Sequence, residues 1–376
     1  MVHVSIRQLP TWHDDRGTLS SVAVLRLPNP GSDLDRFVST FALIAREAES
    51  RHFDLDFMTN VMTMHFQASS MGAHGEEAVR LSTRDDRTRD PLFNQSKMYS
   101  ELYRMLGWIR STLASHSTFT VTPLGATVMH YHFSAGAETK GLVAESFISV
   151  VFPNPSTTNV GIVNHRPFAQ LLKLAYFLGG EITRDEMIIG VLSVTNDLKP
   201  NTIEDNVQII LQLRQKNKQA ASKLVNEIAD KNNLQVNTLE NYTRLPVAIL
   251  GSEFLGWGKG VYSNTTYAGR EKIKVIQLTE TGISKAKAIT KSKDLRMTSL
   301  AKVSRDERAW LSLYGYYAMA LRAGIADQEV LSMLEISNAK IHMLLKSCKI
   351  STPELLIFNP SLQEEDDVLL RASEIA

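Results

Sequence analysis

Lysine and arginine residues are concentrated in one segment of the chain, between Arg270 and Arg308. Its cationic residues are Arg270, Lys272, Lys274, Lys285, Lys287, Lys291, Lys293, Arg296, Lys302, Arg305 and Arg308. Only the acidic residues at 271, 280, 294, 306 and 307 oppose them. Ammonium and guanidinium groups at this density can hold the phosphates of a nucleic acid. A solvated surface helix gives a similar pattern, so both interpretations stay open at this point.

Two other segments could in principle form a metal site or a phosphate-binding loop. His130-Tyr131-His132 places two imidazoles on one side of a predicted strand, where they could bind a metal. No cysteine or acidic third ligand lies nearby in the sequence, which favours structural or surface histidines. The glycine-rich segment Gly256–Gly260 follows a predicted helix rather than a strand, so it indicates the entrance to a hairpin and not a phosphate loop. We expect no catalytic residues and no metal ligands.

Composition narrows the class of protein. The 376 residues are 43% hydrophobic and 22% charged, with 41 Lys and Arg against 40 Asp and Glu. A net charge of +1 argues mildly against a nucleic-acid binder. A single cysteine, Cys348, excludes an intrachain disulfide and a cysteine-based zinc site. No apolar run reaches the ~18–20 residues of a membrane span, and Met1–Arg16 lacks a signal-peptide core, so we expect a cytoplasmic protein.

One pattern occurs twice in the chain. Leu106-Gly107-Trp108 is followed by a β-prone run and then by Thr122-Pro123-Leu124-Gly125. Leu255-Gly256-Trp257 is likewise followed by Leu278 and then by Thr279-Glu280-Thr281-Gly282. Glycine is a common helix C-cap, so the tripeptide alone could recur by chance. Its repetition together with a strand and a Thr-x-x-Gly turn predicts two small helical units, each with a hairpin.

The elements around this repeat predict tandem winged helices, a mainly α fold with small β-hairpins (α+β). Pro167 begins a helix that ends at Gly179-Gly180, and Thr183 with Glu186 forms a capping box that begins the next. Thr202 is predicted to cap a third helix, and Val143–Phe152 is predicted to be β. We predict a winged-helix-containing domain at 1–152, a second at 160–298 and a third small helical or winged-helix domain at 304–376, with a linker at 153–159.

The order of these motifs resembles the DNA-recognition region of type IIS restriction and nicking endonucleases of the AlwI and FokI kind. The first segment that carries the likeness is Ser82-Thr83-Arg84-Asp85-Asp86-Arg87, followed by the helix that ends at Trp108. The likeness continues through Arg166–Arg214 and Lys274–Lys293, and it covers roughly residues 80–340. It implies that Arg84, Asp85, Arg87 and Arg89 line a DNA-facing loop.

The chain also departs from that family. Its loop carries an extra acidic residue, Asp86, and a longer insertion, Thr88–Ser96. Those endonucleases hold Mg²⁺ with an acidic residue and an Asp/Glu-x-Lys triplet on a strand. The one close match, Asp197-Leu198-Lys199 after Asp185, is followed at once by Pro200 and lies in a helical region. The resemblance therefore implies recognition without cleavage, with Mg²⁺ expected only for a partner nuclease.

The leading hypothesis is sequence-specific binding of double-stranded DNA by the target-recognition subunit, or fragment, of a restriction or phage-defence endonuclease. Arginines on the loop would contact base edges, while lysines on hairpins and helix ends would contact phosphates. The candidate DNA-binding residues are Ser82, Thr83, Arg84, Asp85, Arg87, Arg89, Lys97, Lys259, Arg270, Lys272, Lys274, Lys285, Lys287 and Lys291. A protein-interaction scaffold, a winged-helix transcriptional regulator and an enzyme with a degenerate nuclease motif remain alternatives.

Overall fold

Helices joined by small sheets dominate the structure. The computed structural model describes residues 23–28, 33–70, 73–82, 85–86, 90–112, 115–134, 136–152, 162, 165–197, 199–294, 315–333, 339–340, 343 and 354–355. The mixture of many helices and short, mainly antiparallel strands confirms the α+β class. Within the described residues, no helix combines the length and the hydropathy needed to cross a bilayer.

The chain forms two compact units that are interleaved in sequence. The α1–α6 unit comprises residues 28–158 and 288–376, and the α7–α13 unit comprises residues 1–27 and 159–287. One crossing between them falls within the linker predicted at 153–159, which lies outside the described residues. The three-domain division of the chain stays a prediction.

The α1–α6 unit begins with two helices capped by aspartates. Its elements are α1 (Leu34–Ala48), β1 (Phe53–Asp54), α2 (Leu55–Met64), β2 (Ser69–Ser70), β3 (Ala73–His74), α3 (Glu76–Leu81), α4 (Pro91–Leu106), β4 (Ile109–Thr112), β5 (Ser115–Val121), α5 (Pro123–Ser134) and α6 (Ala137–Ser149). Asp33 accepts from the Arg36 amide and Asp54 from the Phe57 amide, which fixes where α1 and α2 begin. The sheet has the antiparallel order β1-β5-β4.

Aromatic side chains form the centre of this unit. Phe37 and Phe41 of α1 lie against Tyr103 and Trp108, with ring centroids 4.7–5.8 Å apart. The buried polar ends of these rings are hydrogen-bonded: the Tyr103 hydroxyl donates to the Phe37 carbonyl at 2.9 Å, and the Trp108 indole N–H donates to Ser146 at 3.0 Å. The core therefore joins α1, α4 and α6.

Residues far along the chain complete the same unit. Residues 315–322 are helical, and α14 follows at Asp327–Met333. The Tyr316 hydroxyl is hydrogen-bonded to Thr127 of α5, and Arg322 donates to Glu145 of α6 at 3.0 Å. A short parallel pair joins β9 (Lys293–Asp294) to β10 (Glu354–Leu355).

The predicted β run at Val143–Phe152 is wrong, because α6 extends to Ser149. Every residue from Leu142 to Ser149 is buried. A helix buried on all sides shows no apolar stripe, so its sequence resembles that of a buried strand. The mistake follows from burial and not from an unusual local conformation.

The α7–α13 unit contains a longer run of helices before its hairpin. Its elements are α7 (Pro167–Phe177), β6 (Glu181–Ile182), α8 (Arg184–Met187), a π-helical turn (Ile188–Leu192), α9 (Thr202–Arg214), α10 (Lys218–Lys231), α11 (Val236–Tyr242), α12 (Arg244–Gly251), β7 (Gly258–Ser263), β8 (Ile273–Leu278) and α13 (Glu280–Thr290). The sheet order is β6-β8-β7. Residues 23–27 join this unit, where the Leu25 amide donates to the Leu192 carbonyl at 2.8 Å.

Local signals in this unit have mixed outcomes. The capping box is confirmed, since Thr183 Oγ1 accepts from the Glu186 amide and Glu186 accepts from the Thr183 amide. Thr202 as the cap of α9 is wrong. Asn201 holds the N-cap position with a φ of 63°, and the Thr202 hydroxyl donates back to the Lys199 carbonyl at 2.8 Å. Asparagine tolerates this left-handed conformation better than a β-branched residue.

Candidate nucleic-acid interface

Each unit closes the base of its hairpin with the same four residues, which we call the latch. In the α1–α6 unit, the Thr122 hydroxyl donates to the Gly107 carbonyl at 2.6 Å, and the Thr122 amide donates to the Trp108 carbonyl at 3.0 Å. The same hydroxyl accepts from the Gly125 amide at 3.1 Å, which caps α5. A Cβ on Gly125 would lie 2.1 Å from the Trp108 carbonyl oxygen. Only glycine fits there.

The latch of the α7–α13 unit repeats these contacts. The Thr279 hydroxyl donates to the Gly256 carbonyl at 2.6 Å, and its amide donates to the Trp257 carbonyl at 3.0 Å. It accepts from the Gly282 amide at 3.2 Å, and a Cβ on Gly282 would lie 1.9 Å from the Trp257 carbonyl oxygen. The sequence repeat is therefore also a repeat of hydrogen bonds, and it fixes where each hairpin leaves its helices.

The far end of the β7–β8 hairpin is fixed as well. Glu181 accepts from the hydroxyls of Ser263 at 3.1 Å and Thr266 at 2.9 Å. The Ala268 amide donates to the Arg214 carbonyl at 2.8 Å, which ties the loop between the strands to the end of α9. Held at both ends, the hairpin presents its outer face as a rigid surface.

A buried ion pair supports this loop from below. The Arg214 guanidinium forms a fork with both oxygens of Glu186, at 2.7 and 2.9 Å, and also donates to the carbonyls of Leu178 and Glu181. The Glu186 side chain is fully buried, and that of Arg214 is 11% exposed. Burial alone would lower the pKa of Arg214, but Glu186 outweighs it and raises that pKa above its usual value. Burial also holds the pKa of the neighbouring Tyr267 well above its ordinary value.

The outer face of the hairpin is cationic. Lys259 of β7 is exposed on one face of the hairpin, and Lys274 of β8 is exposed on the opposite face; Arg270 and Lys272 are exposed in the segment leading into β8. Tyr262 lies among them and is 68% exposed. Of the lysines predicted on and after α13, Lys287 and Lys291 are exposed and Lys285 is half-buried. The hairpin thus brings together four of the cations that the sequence singles out.

The loop before α4 is described only in part. Thr83, Arg84, Arg87 and Arg89 lie outside the described residues. Asp85 is exposed, as is Lys97, whose ammonium lies 4.9 Å from the centre of the Phe93 ring. The candidate DNA-binding roles of these residues stay predictions.

The ends of this loop are tied to the beginning of α4. One oxygen of the buried Asp90 carboxylate accepts from the Leu92 and Phe93 amides at 2.9 and 3.2 Å and from the Ser82 hydroxyl at 2.6 Å. Asp90 is therefore a helix cap, and Ser82 contributes to the same cap. Ser82 and Asp90 are therefore held close together at the beginning of α4.

The histidines considered as metal ligands lie in a helix and not in the predicted strand. The strand predicted for His130 and His132 is wrong, since both lie in α5, where residues two apart point about 200° apart. Within the described ranges, no group of three or more His, Cys, Asp or Glu side chains is placed to hold a metal ion. Cys348 lies outside the described residues.

Asp197 of the Asp-x-Lys triplet lies in a turn. Its carboxylate accepts from the Arg166 amide at 2.8 Å and lies 3.4 Å from Nδ1 of the buried His165. These contacts hold the beginning of α7 against the segment that follows the π-helical turn. They give Asp197 a structural role.

Sequence reasoning missed Tyr262. The segment Gly258–Ser263 places Gly260 and Tyr262 two residues apart, and the alternation of a strand puts both on one face. An aromatic next to a glycine on the exposed face of a basic hairpin is a signal that was present in the sequence.

Comparisons with known proteins give little. No protein-family model matches the chain, and no curated protein matches it. Among solved structures, the chain is similar to the structure of restriction endonuclease FokI, with a TM-score of 0.36 and 12% sequence identity. The match covers 93% of this chain and 60% of the FokI chain, so this chain spans about three fifths of that length. A similarity of this size assigns neither a fold nor an activity.

Proposed function

We propose that this protein binds double-stranded DNA and acts as the target-recognition part of a restriction or phage-defence endonuclease whose nuclease is supplied elsewhere. The observation that carries the proposal is the set of exposed cations on the anchored β7–β8 hairpin: Lys274 on the face that carries Tyr262, Arg270 and Lys272 in the segment leading into β8, and Lys259 on the opposite face. Charges on an anchored hairpin can contact the phosphates of a duplex together, whereas scattered surface charges cannot act together.

The topology of both units supports winged helices. In each unit a helix leads to a short strand, further helices follow, and a hairpin then leads into another helix. The strand orders β1-β5-β4 and β6-β8-β7 both place the last strand between the first strand and the hairpin partner. The latch gives both hairpins the same connection to their helices. Winged helices use a helix and a hairpin to contact DNA, so two of them suit an extended duplex site.

The two units would contribute differently to binding. The hairpin lysines are mobile point charges and suit phosphates, while the arginines of the 83–89 loop suit bidentate contacts with bases. That loop leads directly into α4, whose beginning is fixed by the Asp90 cap. We assign general affinity to the β7–β8 hairpin and sequence discrimination to the loop before α4.

The balance of charges favours the alternative function of a protein-interaction scaffold. With 41 basic and 40 acidic residues, the chain as a whole is close to neutral, as a scaffold that binds other proteins would be. The two functions differ in their response to salt. DNA binding through phosphates weakens steeply as salt rises, whereas docking of protein surfaces responds much less.

Fluorescence anisotropy with a labelled random duplex tests the proposal, measured from about 50 to 300 mM salt. The expected plot of log K against log salt is linear, with a slope of about −0.9 for each phosphate contacted. The variant Lys272→Met/Lys274→Met is expected to flatten that slope by about 1.8. The control Arg51→Met/Lys140→Met removes the same charge from exposed sites on and near helices of the other unit. Absence of binding at 50 mM salt, or equal effects of the two variants, refutes the proposal.

A further inference from the structure

Tyr262 is an exposed aromatic in the middle of a cationic hairpin face. In the antiparallel register, Tyr262 lies directly opposite Lys274, and Gly260 lies opposite Ile276. Residues opposite each other share a face of the sheet, so Tyr262 and Lys274 project on the same side. The Lys272 ammonium lies 5.3 Å from the centre of the Tyr262 ring. One ring is thus flanked by two cations.

The neighbouring position on this face is bare. A Cβ built on Gly260 would meet only the Lys274 Cε, at 3.7 Å. Gly258, two residues earlier, is different: its Cβ would lie 2.7 Å from the Leu250 carbonyl oxygen, because α12 packs there. Gly258 is therefore explained by packing within the protein, whereas Gly260 is not. It leaves the strand backbone open beside the Tyr262 ring.

The exposure of Tyr262 has no explanation in the packing of its own unit. Its ring is 68% exposed, while Val275 and Ile273 of the paired strand are buried. A single cation–π contact at an exposed site contributes only about 0.5–1 kcal/mol, which does not require an aromatic there. The chemistry of the surface is instead a flat apolar ring, two ammonium groups and an open backbone. A nucleotide of a DNA strand offers the complement: an apolar sugar and base face next to phosphates.

We infer that Tyr262 packs its ring against the sugar or base of a nucleotide whose flanking phosphates are held by Lys272 and Lys274. The DNA strand would approach the protein backbone closely at Gly260. This inference rests on the proposed DNA binding and names a residue that acts through its ring instead of its charge. Aromatic contacts with nucleotides do not release counterions, so they add affinity without changing the salt dependence.

Anisotropy titrations of four single variants with the same duplex test the inference. Tyr262→Ala is expected to weaken binding roughly ten-fold at every salt concentration, with an unchanged log–log slope. Tyr262→Phe is expected to bind like the wild-type protein, because the ring is retained. Lys272→Met is expected to flatten the slope by about 0.9, and Gly260→Ala to weaken binding several-fold with no change of charge.

Urea unfolding of each variant controls for folding. The three substituted positions, Gly260, Tyr262 and Lys272, face solvent, so the unfolding midpoints are expected to match that of the wild-type protein. Equal binding by the wild-type protein and Tyr262→Ala overturns the inference, as does a loss in Tyr262→Phe as large as in Tyr262→Ala. Those outcomes leave wild-type DNA binding intact and so differ from failure of the proposed function, in which the wild-type protein itself does not bind.

Discussion

Replacement of Gly282 by alanine should destabilise the attachment of the β7–β8 hairpin to its helices. Gly282 lies in α13, where alanine would normally be favoured over glycine by about 1 kcal/mol. Its Cβ, however, would lie 1.9 Å from the oxygen and 2.8 Å from the carbon of the Trp257 carbonyl. Both atoms are backbone, so no side-chain rotation can relieve the contact. The beginning of α13 must move by roughly 1 Å, since non-bonded carbon and oxygen atoms need more than about 3 Å.

That movement acts directly on the latch. The Thr279 amide and hydroxyl bond to Trp257 and Gly256 at 3.0 and 2.6 Å, and both bonds lengthen if α13 shifts. Overpacking with a forced backbone shift costs about 1–3 kcal/mol, and each weakened hydrogen bond adds about 1 kcal/mol. After subtracting the helix preference of alanine, we expect a net loss of about 2–4 kcal/mol.

Hydrogen exchange of amides in β7, β8 and α13 measures this loss locally, which suits a chain of two units that need not unfold together. A loss of about 2–4 kcal/mol corresponds to roughly 30- to 900-fold faster exchange. Gly269→Ala is the matched control, because its Cβ would meet nothing closer than 3.7 Å. Gly125→Ala should produce the same effect in β4 and β5. If Gly282→Ala and Gly269→Ala exchange alike, the latch does not hold the hairpin.

Three further predictions concern base recognition, cleavage and the buried ion pair. Arg84→Ala should weaken binding to a cognate site by about 1–3 kcal/mol and binding to random DNA only slightly. A triple variant that replaces Lys285, Lys287 and Lys291 should instead weaken binding to both DNAs and flatten the salt slope. Competition binding measures both effects. The purified protein should not cut DNA with Mg²⁺ or Mn²⁺, because Asp197 is engaged by the Arg166 amide; cleavage that Asp197→Ala abolishes would contradict this. Glu186→Gln should destabilise the α7–α13 unit by about 3 kcal/mol in urea unfolding, since it leaves Arg214 buried without its anion, while Glu77→Gln at the exposed pair with Arg80 should leave the unfolding midpoint unchanged. Equal shifts for the two glutamate variants would show that the buried pair is not a major source of stability.

Local signals in the sequence were enough for part of this fold. The latch could be found because its Thr, Gly and Trp recur in order, and the capping box because Thr183 and Glu186 are adjacent on one helical turn. The predicted boundary near 153–159 rested on composition alone. The hairpins were predicted from the runs that follow Trp108 and Trp257, and both exist.

Contacts between residues that are far apart in the sequence could not be predicted from it. The two-residue strand at Phe53 exists only because β5 pairs with it, and a propensity of its own would not reveal it. Nothing next to Arg214 in the sequence indicates its fork with Glu186, which lies 28 positions away. At the candidate site, charge is visible in the sequence, but the exposure of Tyr262 depends on where α12 packs along the sheet, which is at Gly258 and not at Gly260.

The interleaving of the two units has a consequence for how the protein is made. The α1–α6 unit receives Tyr316 and Arg322 from residues synthesised long after Thr127 and Glu145. At a ribosomal rate of about 10 residues per second, the interval between residues 158 and 315 lasts on the order of 15 s. During that time Tyr316 and Arg322 have not yet been synthesised, while the α7–α13 unit has all of its residues. The second unit to emerge is therefore the first that can finish folding, and a stalled or shortened chain that ends near residue 300 should carry one finished unit and one that a chaperone must hold.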